Sequence, residues 1–152
     1  MTYGKTIFAI AAALAMAISA GSANAARTDI TVGLQLEPPH LDPTGAAAGA
    51  IDQVVYANIF EGLTRFASDG SIVPGLAKSW EISEDGLSYT FTLNSGVKFH
   101  DGTAMDAEDV KFSLDRARAE DSTNAQKALF ADIASVDVID PLTVQVTLSQ
   151  QN

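Results

Sequence analysis

At Glu84-Asp85-Gly86 the chain is set to reverse, and this turn constrains the architecture more than any other feature. Asp-Gly tolerates the positive φ angles that a tight hairpin needs. The segment after it alternates without a break. Tyr89, Phe91 and Leu93 fall on one side, and Ser88, Thr90, Thr92 and Asn94 on the other. A period of two is strand spacing. The segment before the turn carries Trp80 and Ile82 on one side. The spacing therefore predicts two paired strands with Trp80, Ile82, Tyr89, Phe91 and Leu93 on a shared buried face.

Elements of other kinds flank this hairpin. Asp29 to Gln35 is rich in β-branched residues and reads as a short strand. Pro38, Pro39 and Pro43 follow closely, and proline lacks a backbone donor, so Glu37 to Thr44 reads as an irregular connection. Gly45-Ala46-Ala47-Ala48-Gly49 is small and flexible. Ile51, Val54, Val55, Ile59 and Phe60 then recur at helical spacing over Ala50 to Phe60, with Gly62 as the terminator. Leu63 to Phe66 reads as extended, Ser68-Asp69-Gly70 as a turn, and Val97 to Phe99 as a short strand before the turn at Asp101-Gly102-Thr103.

Asp106 is suited to cap a helix, with Asp109 in the reciprocal capping-box position. Val110, Leu114 and Ala117 would be its buried stripe to about Arg118. Acids stand at its positive end, and Arg116 and Arg118 at its negative end, as the helix dipole favours. A short helix at Asn124 to Ala131 follows. Two strands, Ile133 to Ile139 and Leu142 to Leu148, are joined at Asp140-Pro141. The mixture of helices and hairpin strands makes the fold class α+β.

The N-terminus reads differently. Lys5 gives a positive start, and Ile7 to Ile18 is an unbroken apolar run. A membrane-spanning helix needs roughly 20 apolar residues, so this run is short for an anchor. It fits the apolar region of a secretory signal peptide, about 7–15 residues long. Ala23-Asn24-Ala25 supplies the small-x-small cleavage pattern, which predicts residues 1–25 as the signal and cleavage between Ala25 and Ala26. With no cysteine anywhere, the exported product is expected to be free in the periplasm, without a lipid anchor, a disulfide or a thiolate metal site.

Acids outnumber bases nineteen to nine, and of all these only Lys5 lies before residue 26. Such an acidic surface disfavours nucleic acid and anionic lipid as partners. Enzymatic constellations are lacking too. His40 and His100 are the only histidines, without metal-ligand spacing. There is no nucleophile elbow and no phosphate loop. The acids at Asp101, Asp106, Glu108 and Asp109 miss the calcium-loop pattern and are explained by helix capping. Neither a metal site nor a cofactor is expected. The strand-like Thr143 to Leu148 lies four residues from the end, so the chain is expected to be an N-terminal fragment.

A long ordered string then carries a resemblance. It runs Val73-Pro74-Gly75-Leu76-Ala77-Lys78-Ser79-Trp80-Glu81, then Ser83-Glu84-Asp85-Gly86-Leu87-Ser88-Tyr89-Thr90-Phe91-Thr92-Leu93. Next come Gly96-Val97-Lys98-Phe99-His100-Asp101-Gly102 and Ala107-Glu108-Asp109-Val110, with Ser113 and Arg116 beyond. Upstream lie Leu41-Asp42-Pro43 and Phe60-Glu61-Gly62-Leu63. This resembles the family 5 extracytoplasmic solute-binding proteins, the dipeptide, oligopeptide and nickel receptors of ABC importers. One departure is Asn94, where that family usually has Arg or Lys on a polar surface position.

The resemblance implies part of a two-lobed periplasmic binding protein of type II. Residues 26–61 would begin the ligand-binding lobe with its N-terminal strand. Residues 62–152 would form the extra mixed α/β subdomain, incomplete here. The physical reading of the same string agrees: Trp80, Tyr89, Phe91, Phe99 and Val110 are core candidates, Gly75, Gly86, Gly96 and Gly102 are turn residues, and no catalytic residue is expected among them. Asp101 would hydrogen-bond backbone donors in its own turn. Ligand contacts would come from the loop at about Pro39 to Ala50. There Gly45, Ala46, Ala47, Ala48 and Gly49 could offer backbone groups to an extended peptide; a plain linker into the helix is the alternative. Small peptides or other small solutes, and the permease and ATPase of an importer, are the implied partners of a monomeric receptor. A truncated module that binds nothing is the rival reading, and a secreted hydrolase a third.

Overall fold

The computed structural model describes residues 29–45 and 49–151. The expected signal peptide, its cleavage point at Ala25 and Ala26, and Ala46, Ala47 and Ala48 lie outside the described residues. Residues 29–33 close a unit that ends at Gly33. Everything below concerns the second unit, from Leu34 onward, unless stated.

Helix α1 (Gly49–Val55) opens the regular structure. Strands β1 (Thr64–Phe66) and β2 (Ile72–Pro74) form a small antiparallel ribbon. Strands β3 (Ala77–Ile82) and β4 (Ser88–Leu93), helix α2 (Ala107–Arg118), a 3-10 turn (Lys127–Phe130), and strands β5 (Ile133–Asp140) and β6 (Thr143–Leu148) complete the order. The four-stranded sheet is antiparallel throughout, in the order β3-β4-β6-β5. The α+β class holds.

The register explains why the alternation matters. Trp80 pairs with Phe91, Phe91 with Val144, and Val144 with Val138. Ile82, Tyr89, Val146 and Val136 form a second row across the same four strands. Both rows lie on one face, because side chains alternate and directly paired residues share a side. Leu93 and Ala77 pair at the end of this face and are fully buried. At the hairpin, Gly86 has φ 69°, the left-handed geometry that Asp-Gly was expected to supply. The Asp85 carboxylate accepts the Leu87 N–H at 3.0 Å and tightens the turn.

Helix α2 covers this face, chiefly over β5 and β6. Its start matches expectation. The Asp106 carboxylate accepts the Glu108 N–H at 2.9 Å, and the Asp109 carboxylate accepts the Asp106 N–H at 2.9 Å. Ala107, Val110 and Ala117 are buried, and Leu114 packs at the edge of the core with Met105, Val136, Val144 and Val146. The helix is also tied to the β5–β6 connection, where the Ala107 N–H donates to the Pro141 carbonyl at 3.0 Å.

Several expectations fail, each for a local reason. Trp80 is only half-buried and Ile82 is 52% exposed, because β3 is the edge strand and α2 covers the opposite half of the sheet. Phe99, expected in the core, is exposed. Val97 to Phe99 makes one bridge, Lys98 with Ala104, since the Asp101-Gly102 turn follows too soon for a ladder. The helix expected to reach Phe60 stops at Val55. Ala57 takes φ 59°, which ends the helix, and the Val55 carbonyl accepts the Ile59 and Phe60 N–H groups, each at 3.0 Å. Gly62 is therefore not its terminator. Asn124 to Ala131 shortens to the 3-10 turn, and the Asn124 carboxamide takes up the Gln126 N–H in a side-chain turn. Asp29 to Gln35 forms no strand. Among the described residues nothing pairs with it, and Ile30 and Val32 stand exposed.

Gly62 has another use. The Gly75 backbone crosses it so closely that a β-carbon at Gly75 would lie 2.6 Å from the Gly62 carbonyl oxygen and 3.1 Å from that of Leu63. The Gly75 and Ala77 N–H groups both donate to the Leu63 carbonyl, at 3.1 and 3.0 Å. Asn94 secures the same crossing from the other side. Its carboxamide nitrogen donates to the Gly75 carbonyl at 2.9 Å and to the Leu76 carbonyl at 3.2 Å. The position expected on a polar surface is a half-buried backbone tie.

Candidate functional site

The loop from Pro38 to Gly45 is shaped by its prolines and by Asp42. Pro43 follows Asp42 at the position in a turn where a fixed φ is favoured. The Asp42 carbonyl accepts the Gly45 N–H at 3.2 Å, closing a four-residue turn. The Asp42 carboxylate accepts the Thr44 N–H at 2.9 Å and its hydroxyl at 3.0 Å. The Asp42 N–H in turn donates to His40 Nδ1 at 3.3 Å. This is the side-chain-supported turn that Asp forms readily.

Arg116, 74 positions along the chain, closes the arrangement. One guanidinium nitrogen donates to Asp42 Oδ1 at 3.0 Å and to the Thr44 hydroxyl at 2.7 Å; the other pairs with Asp42 Oδ2. The fork is bidentate, the geometry that gives arginine its directional hold on a carboxylate. Donation from Arg116, and then from the Thr44 N–H, holds the Asp42 carboxyl well below the usual carboxylate range. The same pairing raises Arg116. Thr123, just past α2, donates its hydroxyl to the Gly45 carbonyl at 3.4 Å. Thr44, Arg116, Asp121, Ser122 and Thr123 enclose a polar cleft of about 250 Å³.

A second concavity has a different character. An apolar groove of about 400 Å³ runs between α2 and the segments around Phe60 and Phe99. Leu63, Leu76, Val97, Met105, Val110 and Leu114 form most of its walls, with Asp109 and Ser113 at its polar side. Arg116 lies three residues beyond Ser113 on the same helix. The described residues hold no cluster of three or more His, Asp or Glu side chains fit for a metal ion. No helix among them is long and apolar enough to cross a membrane.

Residues 71–152, from β2 onward, match the bacterial extracellular solute-binding proteins, family 5 Middle. The chain belongs to this family. Its members are extracellular solute-binding proteins. The glutathione-binding protein GsiB of Salmonella typhi is 39% identical over 137 residues, 90% of this chain and 26% of that protein. GsiB of Escherichia coli K12 is 36% identical over 141 residues. Alignments of that length must include the loop around Asp42. Among solved structures, NikZ from Campylobacter jejuni, in complex with Ni(L-His), superposes with a TM-score of 0.68 at 35% identity, over 76% of this chain and 23% of NikZ. The murein tripeptide binding protein MppA of Escherichia coli gives a TM-score of 0.67 at 32% identity, over 76% of this chain and 26% of its own. The chain thus spans about a quarter of the length of the relatives it matches.

In this family 5 protein the expected ligand segment is partly described. Gly45 has both backbone groups engaged, its N–H with Asp42 and its carbonyl with Thr123. Gly49 is the first residue of α1, with open space where a side chain would go. Reading the sequence alone missed the Asp42–Arg116 pair. Arg116 was explained by the helix dipole, and Asp42 belonged to a separate short motif. The available signal was that both residues fall in the family-like string. Asp101 behaves as expected and accepts the Thr103 N–H at 2.9 Å.

Proposed function

We propose that this chain is the N-terminal part of the extracytoplasmic substrate-binding component of an ABC importer, with small peptides as its ligands. The observation that carries this reading is the 39% identity to glutathione-binding proteins over 90% of the chain. MppA, named for a murein tripeptide, supports the same ligand class. In this reading residues 1–25 are the signal peptide, and the product begins at Ala26, free in the periplasm. Residues 26–61 begin the ligand-binding lobe, and residues 62–152 belong to the extra subdomain. The importer's permease and ATPase are its membrane partners, and no step requires a cofactor or a catalytic group. Gly45, Ala46, Ala47, Ala48 and Gly49 form the ligand loop. With both backbone groups of Gly45 engaged, Gly45 serves as the anchored end of that loop.

The deciding experiment is isothermal titration calorimetry of the full-length receptor with reduced glutathione, triglycine and Ni(L-His). Saturable heat with either peptide and none with Ni(L-His) is the expected result. Heat with Ni(L-His) alone would replace this reading by the second one, a receptor for metal complexes, which the likeness to NikZ favours. Export is checked separately by intact-mass analysis of the periplasmic product, which should begin at Ala26.

A further inference from the structure

We propose that Arg116 is the positioning residue of the ligand loop, holding the Asp42-Pro43-Thr44-Gly45 turn in one fixed place against α2. The proposal rests on the reading of Gly45 to Gly49 as the ligand loop. Arg116 touches no ligand in this account; it acts through Asp42 and Thr44.

Three observations converge. The first is how few ties the loop has. Among the described residues, the hydrogen bonds that leave the stretch from Leu34 to Gly45 go only to Arg116 and Thr123. The Thr123 bond is long at 3.4 Å and neutral. Arg116 makes three contacts, all charge-assisted because the guanidinium donor is ionised, and such bonds are about twice as strong as neutral ones. The second is the platform. Helix α2 is capped at its start and buried along Ala107, Val110 and Ala117, so Arg116 projects from a fixed base. The third is geometry. The guanidinium fork contacts both carboxylate oxygens of Asp42 and, from one nitrogen, also the Thr44 hydroxyl. That fixes the orientation of the turn as well as its distance. A lysine ammonium is a point charge on a flexible stem and would fix only the distance. Gly45 is the last residue of the turn, its N–H donating to the Asp42 carbonyl, so the clasp fixes the described end of the proposed ligand loop.

The test compares Arg116→Gln, Arg116→Lys and Gly45→Trp in the full-length receptor, and Arg116→Gln in the ¹⁵N-labelled 152-residue chain. ¹H–¹⁵N heteronuclear NOEs report picosecond-to-nanosecond order at each amide. In Arg116→Gln the NOEs should fall at Thr44 and Gly45 and stay unchanged at Thr90 and Val144. The melting temperature of the receptor should hold. Affinity for reduced glutathione or triglycine should drop by roughly tenfold, the equivalent of one charge-assisted bond, with Arg116→Lys intermediate. Unchanged NOEs at Thr44 and Gly45 would overturn the proposal. So would a fall in affinity that tracks a lowered melting temperature, since that is a plain stability effect. Loss of loop order with full affinity, while Gly45→Trp weakens binding, would overturn the role of Arg116 and leave the ligand loop standing. Full affinity in all three variants, or a wild-type receptor that takes up neither peptide, would remove the ligand-loop reading and this proposal together.

Discussion

The sheet from β3 to β6 and the loop before α1 are held by opposite means. In the buried rows of the sheet a residue is secured several times over. Val144, for example, sits in the Trp80–Phe91–Val144–Val138 row, is fully buried, and packs in the cluster beneath α2. In the loop, Leu36 and Leu41 are exposed, and the ties run through a few polar groups centred on Asp42. Apolar burial is non-directional and cumulative, whereas a single bidentate pair is directional and can be lost at one stroke. Removing a sheet residue should therefore lower the stability of the whole unit. Removing a loop contact should change local order and leave the sheet alone.

The largest effect should come from the sheet. Leu93 is fully buried, pairs with Ala77 and belongs to the same core cluster as Ala107, Val110 and Val144. Leu93→Ala removes that volume and leaves a cavity, at a cost of about 3 kcal/mol. Urea denaturation followed by the fluorescence of Trp80, the only tryptophan, would measure it. A loss under about 1 kcal/mol would mean that the site collapses freely and that the packing contrast between the regions is overstated. Gly75→Ala comes next. Its β-carbon would meet two carbonyl oxygens of backbone, which cannot rotate away as a side chain can. The expected cost is about 2 kcal/mol, by forced separation of the crossing strands. A neutral Gly75→Ala would show that the Gly62–Gly75 crossing yields easily.

Asn94→Ala sharpens the contrast, because Asn94 is a polar tie inside the well-packed region. It removes two donated hydrogen bonds, to the Gly75 and Leu76 carbonyls, and should cost about 1 kcal/mol in the same denaturation experiment. Asn94→Lys tests whether an ammonium can reach both carbonyls. Equal stability of Asn94→Lys and wild type would make the two side chains alternative solutions to one backbone crossing.

What could be read in advance divides along the same line. Strand alternation at Ser88 to Leu93, the Asp85-Gly86 turn and the Asp106–Asp109 cap are local patterns, and each was legible because its physics spans a few residues. The strand expected at Asp29 to Gln35 was not. Its β-branched residues give it propensity, but strand formation needs a partner, which no local pattern reveals. The end of α1 depended on Ala57 adopting a left-handed conformation, for which alanine carries no signal. Trp80 and Ile82 were assigned the correct face and the wrong depth, since alternation says nothing about which half of a sheet the helix covers. The Asp42–Arg116 pair joins residues 74 apart in sequence, and charge alone does not say which acid an arginine will find.

The smallest expected effect is in the loop, and pH is its cleanest lever. Asp42 is held below its ordinary value of 3.8, first by Arg116 and then by the Thr44 N–H. A carboxyl whose folded-state value is depressed contributes stability that is present above the ordinary value. That contribution is lost as pH falls through the lower, folded value. The clasp should therefore hold unchanged from pH 7 to pH 5 and loosen only below about pH 4. The other ionisable groups near it are His40, whose Nδ1 accepts the Asp42 N–H, and Asp121, across the polar cleft. A ¹³C-detected titration of the Asp42 carboxyl should give a midpoint below 3.8 in the wild type and a higher one in Arg116→Gln. The Thr44 bonds should keep even the variant from reaching the free value. Both Asp42 and Arg116 are more than a third exposed, so water and salt screen the pair and the effect on global stability should be small. An identical midpoint with and without the guanidinium would mean that the Thr44 turn alone shapes the loop. The two regions would then differ in packing but not in how they are joined.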